Sequence, residues 1–290
     1  MNSVYGKKIG AFQIIMLIFC LLLILLTLFP MLNVLAVSMS GKNAIAKGNV
    51  GIIPQEFTME AYQRVFSNNN IMHSMLYSIG LTVGVALLST FMTILAAYPL
   101  SKPNLKGKHF FLTLVTLTMV ISAGTIPNYL LIKELGLINT VWALVLPAMI
   151  TPFNLIILRT FFTGINKSIF EAAEIDGCGQ WRSMFVIAIP LSLPSIFTVM
   201  LFYAVARWNG VTDVIYYVNT NQLYTLQYQL KLILDTISID YSKDEAEVML
   251  ITPENIKSSA IIFSVIPMLI IYPFVQRCFT KGVMIGGVKE

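Results

Sequence analysis

Charge is scarce in this chain. Of its 290 residues, 11% are Asp, Glu, Lys or Arg and 57% are hydrophobic, whereas soluble domains carry about 25% charged residues. Such a composition cannot make a soluble surface, and it reads as a polytopic membrane protein. Histidine and cysteine are also few. His73 and His109 lie at opposite ends of one apolar run, and Cys20, Cys178 and Cys278 are scattered. That excludes metal-ligand spacing and a disulfide framework. No Gly-x-x-x-x-Gly-Lys-[Ser/Thr] stretch occurs, so the chain does not hold ATP by that device. The net charge of +5 is modest and forms no basic stripe, which argues against a nucleic-acid partner. Charges nearly vanish from the centres of the apolar runs, where each costs at least ~2.5 kcal/mol. An ion-coupled secondary transporter would lack its relay, and no catalytic pair for a membrane enzyme is visible. Internal repeats and low-complexity tracts are absent as well.

What remains is a series of apolar runs. Ile9–Leu35 follows Lys7 and Lys8. It is longer than the 7–15 residues of a signal-peptide core, so an uncleaved first span is expected. Ile71–Pro99, Phe110–Ile132, Val141–Phe162, Leu191–Trp208 and Ser258–Gln276 follow, each near the ~20 residues that cross a bilayer. Gly80, Gly84, Ala86, Ser89, Thr90, Ala96 and Ala97 in the second run suggest close helix contacts. Gly124 and Pro127 interrupt the third, and Pro147 and Pro152 the fourth. Each proline is either a packing kink or a place where freed carbonyls line a cavity. Thr58–Phe66 reads as a short amphipathic helix. Leu223, Leu226, Leu230, Ile233, Leu234 and Ile237 recur at helical spacing in the longest polar segment.

One polar run stands out between the fourth and fifth spans: SIFEAAEIDGCGQWRSMFVIAIPLSLP, Ser168 to Pro194. Ser168 with Glu171 three residues later predicts a capped helix start. Gly177 predicts its stop, because glycine enters the left-handed conformation without steric cost. Gln180–Ile189 predicts a second helix, with Pro190 and Pro194 at its junction with the next span. The product is a helical elbow with a small-residue face.

The spacing Glu171-Ala172-Ala173, then Gly177, then Ile187-x-Ile189-Pro190 resembles the EAA loop of importer permeases of the ATP-binding-cassette (ABC) superfamily. The family pattern ends in Leu-Pro, and Ile189-Pro190 keeps its apolar character. An ordinary interfacial amphipathic helix would explain the polarity but not the spacing or the position. The resemblance covers almost the whole chain and implies an all-α integral membrane protein of six transmembrane helices, the type I importer permease fold. Residues 1–70 would hold the first span and an external segment, 71–276 the permease core, and 277–290 a cytoplasmic tail. It further implies a second permease subunit, a cytoplasmic ATPase dimer that alone binds ATP and Mg, and an extracytoplasmic binding protein, with no cofactor in this chain. Glu171, Ala172, Ala173, Asp176 and Gly177 are the implied ATPase-coupling residues.

Within the superfamily the chain is most similar to maltose-permease-like carriers of oligosaccharides, through Pro54–Phe66, Ala97-Tyr98-Pro99-Leu100-Ser101, Trp208-Asn209 and Leu223–Leu230. A neutral sugar calls for amides, hydroxyls and aromatic faces. Asn128, Tyr129, Asn154, Trp208 and Asn209 have that character. The same residues also suit a membrane interface or an interhelical hydrogen bond, and both readings stand. A cation such as a polyamine would need carboxylates along the pathway, and the spans lack them. The acid-rich segment Asp235–Glu254 is either a solvated loop or a surface for the binding protein.

Six spans place both termini on one side. Eleven of the 19 basic residues fall there, in short loops, and 10 of the 14 acidic residues fall on the other. By the positive-inside rule the termini and the elbow are cytoplasmic, in a bacterial cell membrane.

Overall fold

The computed structural model describes residues 11–240 and 253–286. Lys7, Lys8, Lys289, Glu290 and most of the acid-rich segment lie outside the described residues. Helices follow in the order α1 (Ala11–Ser38), α2 (Lys42–Ala46), α3 (Glu60–Ser67), α4 (Asn69–Ser101), α5 (Lys108–Val120), α6 (Thr125–Glu134), α7 (Trp142–Val145), α8 (Pro152–Gly164), α9 (Lys167–Ile175), α10 (Gln180–Ser183), α11 (Ile189–Leu191), α12 (Leu193–Asn209), α13 (Thr212–Tyr217), α14 (Leu226–Asp240) and α15 (Pro253–Gly286). No strand occurs among the described residues.

Three helices are long and apolar enough to cross a membrane: Phe12–Ser38, Asn69–Ser101 and Glu254–Pro273. The other apolar runs are broken. Lys108–Val120 and Thr125–Glu134 meet at 116°, Trp142–Ala148 and Pro152–Gly164 at 49°, and Gln180–Leu191 and Leu193–Asn209 at 83°. Up to six spans result if each bent pair is one. Gly124 and the prolines foretold these breaks. At the first, Gly124 has φ +85°, a conformation that side-chain-bearing residues rarely adopt.

The chain divides into two compact units, Met1–Asn69 with Leu232–Val265, and Asn70–Lys231 with Ile266–Glu290. In the first unit α1 is apolar on every side, as a lipid-facing helix is. Beyond it, the Asn33 amide donates to Val50 O (3.1 Å) and Gly51 O (2.8 Å), and Ser38 Oγ meets the Tyr62 hydroxyl at 2.8 Å. Ala61 and Val65 bury the apolar face of α3, as the amphipathic spacing predicts. The start of α15 joins them, with Ser259 Oγ donating to Ser38 O (3.2 Å) and Phe66 packing edge-on against Phe263.

In the second unit α4 is the central post. One apolar cluster joins Tyr98, Leu158, Phe162, Met184, Val199 and Tyr203. Another joins Leu81, Val85, Leu144, Val214 and Tyr217. Ala86, Ser89, Thr90 and Ala97 are buried as their small size suggested. Gly80 and Gly84 instead face open space, on a groove of about 490 Å3 bordered by Tyr77 and Trp142. From Leu226 on, the leucine stripe of the polar segment forms α14, with Leu226 and Leu230 buried, whereas Leu223 lies in the short turn before it. Ser78 Oγ accepts the Leu226 N–H at 2.7 Å and so satisfies a donor of its first turn.

Candidate functional site: the elbow

The elbow forms, with two corrections to its expected chemistry. Its first helix starts two residues earlier than the sequence suggests, and the cap is Asn166, whose Oδ1 accepts the Ser168 N–H at 3.1 Å. Ser168 is therefore inside the helix, and the Ser168–Glu171 capping box does not form. Asparagine and serine are about equal as caps, and Asn166 occupies the turn first.

The stop is as the glycine foretold. Gly177 has φ +75°. Its N–H reaches Glu174 O at 3.0 Å, and the Cys178 N–H reaches Ala173 O at 2.8 Å. That pair of bonds is the Schellman motif, which uses up carbonyls the helix end would otherwise leave open. Gln180 Nε2 then donates to Glu174 Oε1 at 2.9 Å, tying the second arm to the first.

The second arm is not the single α-helix expected over Gln180–Ile189. It is α10, a wide π turn over Met184–Ala188, and then α11. Pro190 has no N–H for the carbonyl four residues back, and its ring crowds that carbonyl. Widening the turn ahead of it relieves both problems. The 83° bend into α12 falls at Ser192, between the two prolines that marked the junction.

Glu171, Ala172, Ala173, Asp176 and Gly177 thus sit together on one nine-residue helix and its cap. All but the half-buried Ala173 are exposed. Ile175 and Trp181 project beside them, 87% and 69% exposed, so the tip carries uncovered apolar surface. On the inner side Phe170 and Met184 pack into the cluster of Tyr98 and Phe162. A hollow of about 470 Å3 remains between the end of α4 and the two arms, lined among others by Pro99, Lys102, Glu171, Glu174, Gln180 and Trp181. Lys102 Nζ lies 3.5 Å from the Phe170 ring centre and 4.7 Å from that of Tyr98. Burial pushes its ammonium below the ordinary lysine value, and Glu174 pulls the other way.

The residues singled out for sugar are spread over three elements. Tyr129 on α6 stacks on Tyr217 at 6.4 Å. Asn154 on α8 and Trp208 on α12 are buried. Asn209 is exposed, and its amide donates back to Val205 O at 2.9 Å. None of the four lines the hollow at the elbow or the groove beside Gly80.

Sequence reading passed over two features. Arg207, in the last turn of α12, is 6% exposed and pairs through both terminal nitrogens with Asp213. It also donates to Leu144 O at 3.3 Å and Gly210 O at 3.1 Å. The signal was a lone arginine closing an apolar run. The second is the Tyr203 hydroxyl, which accepts the Thr151 N–H at 3.0 Å where the chain breaks before α8, and meets Thr93 Oγ1 at 2.7 Å. Thr93 in turn donates to Ser89 O at 2.7 Å. Among the described residues no cluster of His, Cys, Asp and Glu is suited to a metal.

Comparison with known proteins places this geometry. Residues 89–285 match the family described as binding-protein-dependent transport system inner membrane component. Protein LplC of Bacillus subtilis is 40% identical over 267 residues, 91% of this chain and 90% of the relative. The polygalacturonan/rhamnogalacturonan transport system permease protein YtcP of the same organism is 39% identical, over 93% of this chain and 96% of its own. A bacterial ABC transporter involved in the import of the acidic polysaccharide alginate has a chain that superposes with a TM-score of 0.86 at 28% identity, covering 95% of this chain and 99% of that one. A chain of a bacterial alginate ABC transporter, solved in complex with an alginate pentasaccharide-bound periplasmic protein, shares the fold at 16% identity and a TM-score of 0.59. The chain therefore belongs to the binding-protein-dependent transport system inner membrane components, the permeases of ABC importers.

Proposed function

We propose that this chain forms half of the translocation pathway of an ATP-driven oligosaccharide importer and couples to a cytoplasmic ATPase through the 168–190 elbow. The observation that carries the reading is the elbow's build. A helix locked at its end by Gly177, cross-tied by Gln180 to Glu174, rooted in the core by Phe170 and Met184, and apolar at its tip is a stiff lever with a docking face. Ala172 and Ala173 allow close approach, and Glu171 and Asp176 offer charge pairing. Each bent helix pair is one crossing, so six crossings place the termini and the elbow in the cytoplasm. ATP and Mg belong to the ATPase, whose closure rocks this chain and a second permease between inward- and outward-facing states. An extracytoplasmic binding protein supplies the cargo.

The cargo class rests on the company the chain keeps. Among the cargoes that its relatives' names give are polygalacturonan/rhamnogalacturonan, arabinooligosaccharides and alginate. Chains of such different charge pass through one fold, so recognition of an acidic or a neutral sugar falls mainly to the binding protein and the pathway lining. Asn154, Trp208, Asn209 and Tyr129 are the proposed lining on this subunit.

The test is a mild-detergent pull-down of the tagged chain from its native membranes, with Glu171→Lys and Gly177→Pro alongside. Wild type is expected to bring down an ATPase and a second permease, and both variants to lose the ATPase and keep the permease. If wild type captures no ATPase in any detergent, the coupling role fails.

A further inference from the structure

We infer that Lys102 is a positioning residue, a cationic clamp that fixes the angle of the elbow against α4 so that movement at the tip reaches the core. The inference rests on the elbow being the ATPase-coupling lever.

The elbow needs such a clamp because Phe170 and Met184 are packed but the rest of its inner side is not. A hollow of about 470 Å3 lies between the arms and the end of α4, bridged where Phe170 tilts against Tyr98 at 6.4 Å, and a lever with space behind it rocks into that space when pushed. Lys102 spans that space at one point. Its ammonium sits over the Phe170 ring, which rides on α9, and beside the Tyr98 ring, which belongs to α4. A cation is held by the negative face of each ring, more strongly as water is withdrawn. Glu174, also on α9, adds attraction from the lever side. One charge therefore ties three groups of two elements.

The base of the clamp is itself fixed. Arg159 Nε donates to Leu100 O at 3.3 Å, and Lys108 Nζ donates to Lys102 O at 3.2 Å. Two cations from α8 and α5 thus close carbonyls at the end of α4, where the helix dipole favours positive charge. Tyr98 is held in turn by Phe162, edge-on at 6.0 Å. The clamp has a rigid root on α4, and its moving partners, Phe170 and Glu174, both ride on α9. A shift of α9 by a few ångströms would break the contact, so it holds one elbow angle rather than a range.

The experiment measures that angle directly and needs no cargo. Spin labels go on Ser168→Cys in α9 and Leu76→Cys in α4, in a background where Cys20, Cys178 and Cys278 are serine. Distance distributions are recorded by pulsed electron resonance on the purified complex, with and without Mg-ATP. Wild type and Lys102→Arg, which keeps the cation, are expected to give narrow distributions. Lys102→Met and Phe170→Leu are expected to at least double the width, with no further broadening when combined, and to retain the ATPase on co-purification.

Narrow distributions in Lys102→Met overturn the inference. So does a Lys102→Arg as broad as Lys102→Met, since the charge would then not be the agent. Loss of the ATPase from Lys102→Met overturns it too, by making the contact one of docking or folding. If Lys102→Met does not accumulate, Lys102→Gln, which also removes the cation, takes its place. Absence of ATPase from wild type sinks the coupling reading instead, while the widths still report whether the clamp exists.

Discussion

Arg207 shows how much one side chain can hold. Its guanidinium closes the last turn of α12, reaches α7 through Leu144 O, and pairs with Asp213 on α13. Arg207 is buried and Asp213 only partly so; the pair as it stands is weak support for stability, but removing Asp213 strands a buried charge, at about 3–5 kcal/mol where desolvation is complete. Asp213→Asn is therefore expected to lower the unfolding midpoint of the detergent-solubilised protein markedly. The double substitution Arg207→Met, Asp213→Leu is expected to recover most of the loss, because nothing charged is then stranded. Gly210 belongs to the same unit. A β-carbon there would lie 2.8 Å from Arg207 Nη2, and the nitrogen cannot retreat while Asp213 holds it. None of this was legible beforehand. Arg207 looks like any basic residue at a helix C-terminus, and only the turn at Gly210 swings Asp213, six residues on, back over it.

At the level of elements, the elbow's corner depends on a backbone conformation more than on contacts. A β-carbon on Gly177 would meet nothing within 4 Å, so Gly177→Ala tests the φ of +75° and nothing else. The left-handed conformation costs an L-residue roughly 1–2 kcal/mol. Amide hydrogen exchange at residues 176–178 is expected to quicken by about 5–30-fold, with Gly177→Asn between alanine and wild type. The corner was legible because a glycine that ends a helix has one common use. The spans were legible as long apolar runs, and α1 and α4 follow them closely. The bends were legible only as places. Pro147, Pro152, Pro190 and Pro194 permit a break, but packing sets its size, and 49° and 83° are not written in the residues. The helix start was misread because Asn166 and Ser168 are both good caps. The role of Lys102 was not legible, since nothing local says that Phe170 comes to rest beneath it.

At the level of the whole molecule, the proposed topology makes a sharp demand. In the cysteine-free background, Ser168→Cys should react with a membrane-impermeant maleimide only in inverted vesicles, and Asn49→Cys only in right-side-out ones. Both positions are exposed, so a reversed pattern would overturn the orientation rather than report burial. The hydroxyl of Tyr203 carries a different consequence, one of biosynthesis. On the proposed six-crossing topology the Thr151 N–H lies within hydrocarbon, where an unsatisfied donor costs several kcal/mol. Its partner lies 52 residues further along the chain. At translation speeds of about 5–20 residues per second, the broken fourth span waits roughly 3–10 s for that partner to be made. On that topology, spans four and five are expected to enter the bilayer as a pair.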